Sequence, residues 1–404
     1  MAARWAQIVG LLLLLPLVPS TSSATLVFKL DGSVYPAGHF YVTMNIGDPA
    51  KPYFLDIDTG SNLTWLECDA GSGSCKTCNK VPHPLYKPTP KNIVPCVHRL
   101  CTALHQDLGS NKVCTKQDQC DYEIRYLDGS SSLGVFLIDK LTIPMRNGPN
   151  AGPTIAFGCG YDQGGHSSKP AVPVDGILGL GRGSVDIVSL LKDQKIIATN
   201  VIGHCLSTKG GGYLLIGVDN VPSSGITWVP MAPRTPGKLN HYSPGPATLL
   251  MATKPIGKME VILDSGSTYT YLPDSVHKQL VSELKASIGK SLEEVTDPAL
   301  ELCWKGAGPF RSVEDLKKEF KLVMSLKFDN GASMIIPPEN CLIITGKGNA
   351  CLGMLSKEID MYLIGDITVQ DQLVIYDNEK GQLGWMRSTC HRVAKSTFPI
   401  FSRI

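Results

Sequence analysis

Apolar and polar residues alternate in short runs along most of the chain, which is the pattern of half-buried β-strands. Residues 39–46 alternate in this way, and residues 52–57 repeat the pattern. Residues 121–126 and 134–138 flank the turn Asp128-Gly129-Ser130 and predict a hairpin. Further strands are predicted at 154–157, 176–180, 247–251, 261–263, 322–328, 342–345, 362–364, 372–377 and 382–386.

Helical periodicity is confined to three segments. In residues 274–289 apolar side chains recur every three or four positions, and Asp274 is the expected N-cap. Shorter helices are predicted at 185–191 and 312–318. The fold class is therefore expected to be all-β, with a few short helices.

Two of the predicted strands end in nearly the same four residues. One apolar run leads into Asp58-Thr59-Gly60-Ser61, and another leads into Asp264-Ser265-Gly266-Ser267. Each half also has a late apolar-apolar-glycine step, Ile177-Leu178-Gly179 and then Leu363-Ile364-Gly365. A long, divergent internal repeat of this kind predicts two related lobes that each bring one carboxylate to a shared site.

The repeated motif indicates acid–base chemistry by Asp58 and Asp264. A carboxyl at a tight, partly buried turn has a raised pKa, and two carboxyls in contact share one proton because they cannot both ionise cheaply. The ionised member can draw a proton from water while the other donates to a substrate carbonyl. A single copy of the motif would indicate only a capped turn. Asp56 shares a strand face with Asp58 but lacks the Thr-Gly context, so Asp58 is preferred.

Composition limits the classes of function. A chain of 404 residues favours two lobes over one core, and 43% hydrophobic residues with 40 Gly and 28 Pro fit a globular protein rich in turns. The formal charge of +2 gives no general electrostatic case for nucleic acid or an anionic membrane. A carboxylate pair needs no cofactor and no metal, and we expect neither.

The N-terminus has the form of a secretory signal peptide over residues 1–24. Arg4 precedes an apolar run at 8–18, and the small residues Ser22-Ser23-Ala24 follow. The run is too short for a comfortable membrane span, and no later run is long enough. Residues 25–38 are then a short N-terminal segment, a possible pro-segment, too short for a conventional inhibitory one.

The remaining chain is expected to form two lobes joined by a segment rich in Pro, Gly and Ser. The predicted bounds are 39–216 for the N-terminal lobe, 217–246 for the connection and 247–404 for the C-terminal lobe.

Thirteen cysteines agree with an oxidising compartment. Seven of them lie in 68–120, an insertion with little periodicity that we expect to be held by cross-links rather than by its own core. Zinc is the alternative, because Cys75-x-x-Cys78 with Cys68, Cys96 and His83 nearby has ligand-like spacing. Disulfides are favoured in that compartment, and the odd count leaves at least one thiol unpaired within a monomer.

The paired motifs and the apolar-apolar-glycine steps resemble those of the pepsin-like aspartic endopeptidases. The resemblance implies a bilobal fold with the active-site cleft between the lobes, and a protein or extended peptide as substrate, hydrolysed at acidic pH. It also implies that six residues support the carboxylates: Thr59, Gly60, Ser61, Ser265, Gly266 and Ser267.

Two aromatic residues match the flap of that family. Tyr126 resembles the tyrosine of the hairpin that closes over substrate, and Trp65 resembles its hydrogen-bonding partner. Leu127 departs from the pattern, because a small residue, often glycine, is usual there. The departure puts the mobility and specificity of the flap in question.

The cysteine-rich insertion resembles the plant nucellin-like and nepenthesin-like branch. The resemblance implies six disulfides with Cys351 free: Cys68–Cys75, Cys78–Cys159, Cys96–Cys120, Cys101–Cys114, Cys205–Cys390 and Cys303–Cys341. Related plant proteins inhibit glycosidases, so a non-catalytic binder on the same scaffold is one alternative, although such proteins often lose an Asp or Gly that is intact here. A zinc-dependent interaction module is another. We expect a monomer in the secretory pathway, either extracellular (the apoplast) or in the lumen of the vacuole or endomembranes.

Overall fold

The computed structural model describes residues 25–391 and 401–403, except for 70–80, 110–113, 115, 145–149, 166–171, 219–221, 223 and 234–240. The predicted signal peptide, Cys75 and Cys78 lie outside the described residues. The described chain is mainly β, as predicted.

Ten described strands belong to the first half of the chain: β1 Thr25–Ser33, β2 His39–Ile46, β3 Lys51–Asp58, β4 Trp65–Glu67, β5 Asp121–Arg125, β6 Ser131–Thr142, β7 Thr154–Gly164, β8 Gly176–Gly179, β9 Val201–Leu206 and β10 Gly212–Ile216. The later strands are β11 Thr227–Pro230, β12 Tyr242–Met251, β13 Lys254–Leu263, β14 Thr270–Pro273, β15 Glu293–Val295, β16 Cys303–Lys305, β17 Met324–Phe328, β18 Ser333–Ile336, β19 Leu342–Ile344, β20 Ala350–Leu352, β21 Met354–Lys357, β22 Met361–Ile364, β23 Gln372–Asp377, β24 Gln382–Arg387 and β25 Phe401–Arg403.

The described helices are short: α1 Arg99–Asp107, α2 Ile187–Asp193, α3 Asp274–Ser287, α4 Val313–Glu319, α5 Asp366–Val369 and a 3-10 helix at Pro338–Asn340. None of these helices has the length and apolar character needed to cross a membrane. The helix predicted from residue 274 is present, but its N-cap is Pro273, and Asp274 lies within the first turn.

The two halves meet in one large sheet. Its strand order is β11-β24-β23-β9-β10-β1-β2-β3-β8-β4-β7-β6-β5, with β25 beside β1. The halves join where β9 pairs with β23, with Cys205 opposite Leu373. A second sheet, β18-β17-β12-β13-β22-β14-β21, and a third, β15-β16-β20-β19, belong to the second half. The predicted connection 217–246 therefore contains β11 and the start of β12, and hydrogen-bonded strands link the halves as well.

The short N-terminal segment is a structural strand. Leu30 lies opposite Val42 of β2 on one side of β1 and opposite Gly212 of β10 on the other. Leu26 and Phe28 are buried in the core. Residues 25–33 thus contribute an inner strand of the large sheet, and their assignment as a possible pro-segment stays a prediction.

The cysteine-rich insertion shares a hydrophobic cluster with the neighbouring strands. Leu100 and Leu104 of α1 pack with Trp65, Tyr122 and Phe136 of those strands. The sequence pattern does not predict α1. The insertion has no separate core, as expected, but packing against the strands holds it as well as its cross-links do.

The disulfide pattern differs from the implied one. The described residues form Cys68–Cys159, Cys96–Cys114, Cys101–Cys120, Cys205–Cys390 and Cys303–Cys351. Of the implied bonds, Cys205–Cys390 is present. The bond from Cys68 to Cys159 replaces the implied Cys68–Cys75 and Cys78–Cys159.

Local geometry explains the other exchanges. The Sγ atoms of Cys101 and Cys114 lie 3.7 Å apart, so four sulfur atoms crowd together beside α1 and sequence spacing cannot assign their partners. In place of the implied Cys96–Cys120 and Cys101–Cys114, the structure has Cys96–Cys114 and Cys101–Cys120. Cys303 faces Cys351 across β16 and β20, so Cys303–Cys341 was wrong, and Cys341 is the free thiol among the cysteines that the structure describes.

Candidate active site

The two aspartate loops leave strands that are held in the same way. Asp58 ends β3 and lies opposite Gly179 of the parallel strand β8. In the second half, Leu263 ends β13 opposite Ile364 of the parallel strand β22, and Asp264 follows it. Each late apolar-apolar-glycine step therefore runs beside an aspartate loop and fixes where the loop leaves the sheet.

The glycines of the motifs make room for the opposite carboxyl. A Cβ atom on Gly60 would lie 2.5 Å from Oδ1 of Asp264, and one on Gly266 would lie 2.5 Å from Oδ1 of Asp58. Neither glycine has a left-handed backbone conformation. What the motif needs from glycine is therefore space between the halves.

Each carboxyl is oriented by its own loop. Asp58 accepts the backbone N–H of Gly60 at 2.8 Å through Oδ1 and the hydroxyl of Ser61 through Oδ2. Asp264 accepts the same pair of bonds, from the backbone N–H two residues later at 3.0 Å and from the Ser267 hydroxyl at 2.9 Å. The local order Asp-x-Gly-Ser thus fixes both oxygens of each carboxyl.

Thr59 and Ser265 tie the two loops together. The N–H of Ser265 donates to Oγ1 of Thr59 at 3.0 Å, and the N–H of Thr59 donates to Oγ of Ser265 at 3.1 Å. The Ser265 hydroxyl continues to the carbonyl of Ile57 at 2.8 Å, and the Thr59 hydroxyl to that of Leu263 at 3.3 Å. Both side chains are buried, so this bracing has no competition from water.

The environment of the pair favours a retained proton. Burial, and then the charge of Asp264, raises the pKa of Asp58 to about 7, against hydrogen bonds from Ser61 and Gly60 that lower it. Asp58 is only 5% exposed. Two carboxyls this close share one proton across the acidic range.

Two more carboxyls, the partly buried Asp56 and the fully buried Asp366, lie near the pair. Asp366, the first residue of α5, is 0% exposed, and neither of its oxygens has a hydrogen-bond partner among the described residues. Burial, followed by the charges of Asp56, Asp264 and Asp58, raises its pKa well above the usual range. Asp366 was not among the site residues predicted from the sequence. Its one signal was that an acid follows the second apolar-apolar-glycine step, where Leu180 follows the first.

The predicted flap is a hairpin of β5 and β6. Its turn closes with a 2.8 Å bond from the N–H of Tyr126 to the carbonyl of Ser130. Nε1 of Trp65 donates to the Tyr126 hydroxyl at 2.7 Å, as the resemblance implied. Leu127 at the tip is 54% exposed and lines the cleft, so an apolar side chain stands where a small residue is usual.

The carboxyl pair opens into a long cleft between the halves. The cleft has a volume of about 1090 Å³. Asp58, Trp65 and Tyr126 line it from the first half, and Asp264 and Tyr271 from the second. Its size and its walls from both halves fit a chain-like ligand that passes over the two carboxyls.

Family models match most of the chain. The models described as the N-terminal and C-terminal parts of xylanase inhibitors match residues 40–218 and 243–387. An aspartic proteinase of Oryza sativa subsp. japonica is 49% identical over 100% of both chains. Aspartic proteinase nepenthesin-1 of Nepenthes gracilis is 27% identical over 89% of this chain and 80% of its own.

Solved structures share the fold at low identity. Conglutin gamma from lupine seeds has a TM-score of 0.71 at 16% identity, over 95% of this chain and 100% of its own. An aspartic proteinase from Irpex lacteus has a TM-score of 0.63 at 16% identity, over 91% and 98%. At such identities the likeness supports the bilobal fold and no more.

Proposed function

The chain belongs to the plant family of pepsin-like aspartic proteinases, and on that premise we propose that it is an endopeptidase in which Asp58 and Asp264 activate water. The observation that carries the proposal is the arrangement of the two carboxyls. Each carboxyl is oriented by hydrogen bonds from its own loop and lies against the glycine of the other loop. Extended polypeptides that enter the cleft are the proposed substrates.

The chemistry follows from one shared proton. The ionised carboxylate takes a proton from a water molecule between the loops, and that water attacks the carbonyl carbon of the scissile bond. The other carboxyl donates its proton to the carbonyl oxygen, which gives a tetrahedral diol. As the C–N bond breaks, the proton taken from water passes to the amide nitrogen, and a diol hydroxyl returns a proton to the carboxylate that had donated one. Ser61, Ser267 and the bracing residues Thr59 and Ser265 hold the carboxyls in position, and Tyr126 with Trp65 covers the substrate.

The pH dependence follows from the raised pKa of Asp58. Activity needs the singly protonated pair, and a folded-state pKa of about 7 keeps that proton bound throughout the acidic range. Activity is therefore expected at acidic pH and should fall as pH rises through about 7. It should also fall at low pH, where a second proton binds.

A non-catalytic binder is the second candidate, because the family models carry the description of xylanase inhibitors. The intact paired motifs favour catalysis.

We further propose that the protein acts as a monomer without nucleic acid, metal or cofactor, and that residues 25–38 stay attached. The family and the disulfides fit a secreted or vacuolar protein, and we propose the apoplast or an endomembrane lumen.

A cleavage assay on a peptide library across pH tests the function. The full chain, expressed through a secretory pathway, is expected to cut internal peptide bonds below about pH 7 and to be blocked by a pepstatin-type inhibitor. A parallel assay measures inhibition of a xylanase. Cleavage that survives the inhibitor, or xylanase inhibition without cleavage, would contradict the proposal.

A further inference from the structure

Asp56 is a carboxyl in the cleft that the proposed chemistry does not use. It lies two residues before Asp58 in β3, on the same face of the strand, and it lines the cleft. The equivalent position in the second half, two residues before Asp264, is Ile262. Water activation therefore does not require an acid at this position, and an apolar residue serves in the other half.

The Asp56 carboxyl is incompletely bonded within the protein. Its Oδ1 is buried and has no hydrogen-bond partner among the described residues. Buried polar atoms are nearly always paired, so an unpaired one in a ligand cleft is a place where a ligand can complete the bonding. Burial, followed by the charges of Asp58 and Asp264, raises the pKa of Asp56 well above the usual range.

No described hydrogen bond or ion pair joins Asp56 to a basic side chain of the cleft, His241 included. Arg125 is bonded to Glu123 at 2.7 Å, and Lys357 lies over the ring of Tyr271 at 4.9 Å. His39 lines the same wall, but burial lowers its pKa to about 4, so it carries no charge over most of the acidic range. The wall around Asp56 therefore has an excess of acid.

Two apolar residues that line the cleft lie in a row beside Asp56. Ile177 of β8 lies opposite Asp56, and Trp65 of β4 lies opposite Ile177, so the three residues form one row across the sheet. Methylene groups pack on such surfaces while a charged end reaches a polar group. Glu67, two residues beyond Trp65, adds a second carboxyl on this side of the cleft. One of its oxygens is buried and has no hydrogen-bond partner among the described residues.

We propose that Asp56 is a specificity-determining residue that binds the ammonium or guanidinium group of a lysine or arginine next to the scissile bond. The inference rests on the proposed endopeptidase function. Asp56 and Asp58 are two positions apart on a strand and are therefore separated by about 7 Å. The side chain of lysine is long enough to span that distance. A bound cation would take the place of the proton on Asp56 and would offset the negative charge of Asp58 and Asp264.

Matched peptides test the inference. Two peptides differ only in lysine or norleucine at a residue flanking the scissile bond, and the pair is made for each flanking position. The wild-type protein is expected to cleave the lysine peptide with a kcat/KM about tenfold higher at one of the two positions. In Asp56→Asn the ratio is expected to fall to within about twofold of unity.

Asp128→Asn is the matched control, because Asp128 is an exposed carboxylate of the same cleft that bonds to Ser130. This variant is expected to keep the preference for lysine. If Asp56→Asn does not fold, Asp56→Ile, which copies Ile262, replaces it with the same expected ratio.

Three results would overturn the inference: equal cleavage of both peptides by the wild type, a preference that survives loss of Asp56, or a preference lost in Asp128→Asn. Equal cleavage leaves the proposed function standing. A wild-type protein that cleaves no peptide in the library contradicts the function itself, and the inference with it.

Discussion

The two aspartate loops share the bonds that place the carboxyls and differ in the acids that accompany them. Each aspartate accepts a backbone N–H and a serine hydroxyl, and each half supplies one bracing hydroxyl. Each half has one additional acid at a position where the other half has an apolar residue. Asp56 stands where the second half has Ile262, and Asp366 stands where the first half has Leu180.

This comparison separates placement from environment. The shared features are short-range, and they fix the distance between the carboxyls, so a change in either half should have the same effect. The features that differ change the charge and polarity around the pair. Changes to them should alter specificity or pH dependence and leave the reaction itself in place.

Among changes that keep both carboxyls, the largest expected effect comes from filling the space between the halves. Gly60→Ala and Gly266→Ala should each lower kcat/KM by about 10²- to 10³-fold, because a Cβ atom at 2.5 Å displaces the opposite carboxyl. The measurement is kcat/KM on one peptide. Gly308→Ala is the control, since no described atom lies within 4 Å of the position that its new methyl group would take. Activity within tenfold of wild type in either variant would contradict the shared need for space between the loops.

The bracing hydroxyls should matter equally in both halves. Thr59→Val leaves the N–H of Ser265 without an acceptor, and Ser265→Ala does the same to Thr59. Each change is expected to cost about 1–3 kcal/mol in the free energy of unfolding. Denaturant unfolding with intact disulfides measures it, and the double variant should cost less than the sum of the two. Unequal or additive costs would show that the bracing is not reciprocal.

The smallest expected effect concerns Asp366. Its pKa is raised in the folded state, so the folded protein holds an extra proton, and the cost of burying this group is absent below the unfolded value of 3.8 and grows as pH rises. Asp366→Asn removes that cost. The variant should therefore gain more stability, relative to wild type, at pH 7 than at pH 4.

Thermal or denaturant unfolding at the two pH values checks this prediction. Asp329→Asn is the control, because Asp329 is an exposed carboxylate paired with Lys258 and should change stability little at either pH. An equal gain for Asp366→Asn at pH 4 and pH 7 would show that the burial of Asp366 has no link to its proton.

The sequence predicted which residues meet in the cleft better than it predicted the cross-links. Asp58, Asp264, Trp65 and Tyr126 belong to local motifs, so they could be found from residues close in the chain. The partner of Cys101 could not, because two other sulfur atoms lie near it and only the folded packing selects one.

Other misses have the same physical origin. Residues 25–33 form an inner strand through pairing with residues far along the chain, and no local pattern reports that. The burial of Asp366 depends on how α5 packs behind the two loops. The inner strand and the burial of Asp366 both depend on long-range packing, which a local sequence pattern does not report.

The most direct test of the central claim compares Asp58→Asn with Asp264→Asn in a cleavage assay at acidic pH. Asn keeps the shape of the side chain but cannot share the proton, so each variant should lose at least about 10³-fold in kcat/KM while its unfolding transition stays close to that of wild type. Asp329→Asn should retain activity. The account would be contradicted by an Asp58→Asn or Asp264→Asn variant that folds and still keeps about a tenth or more of wild-type kcat/KM.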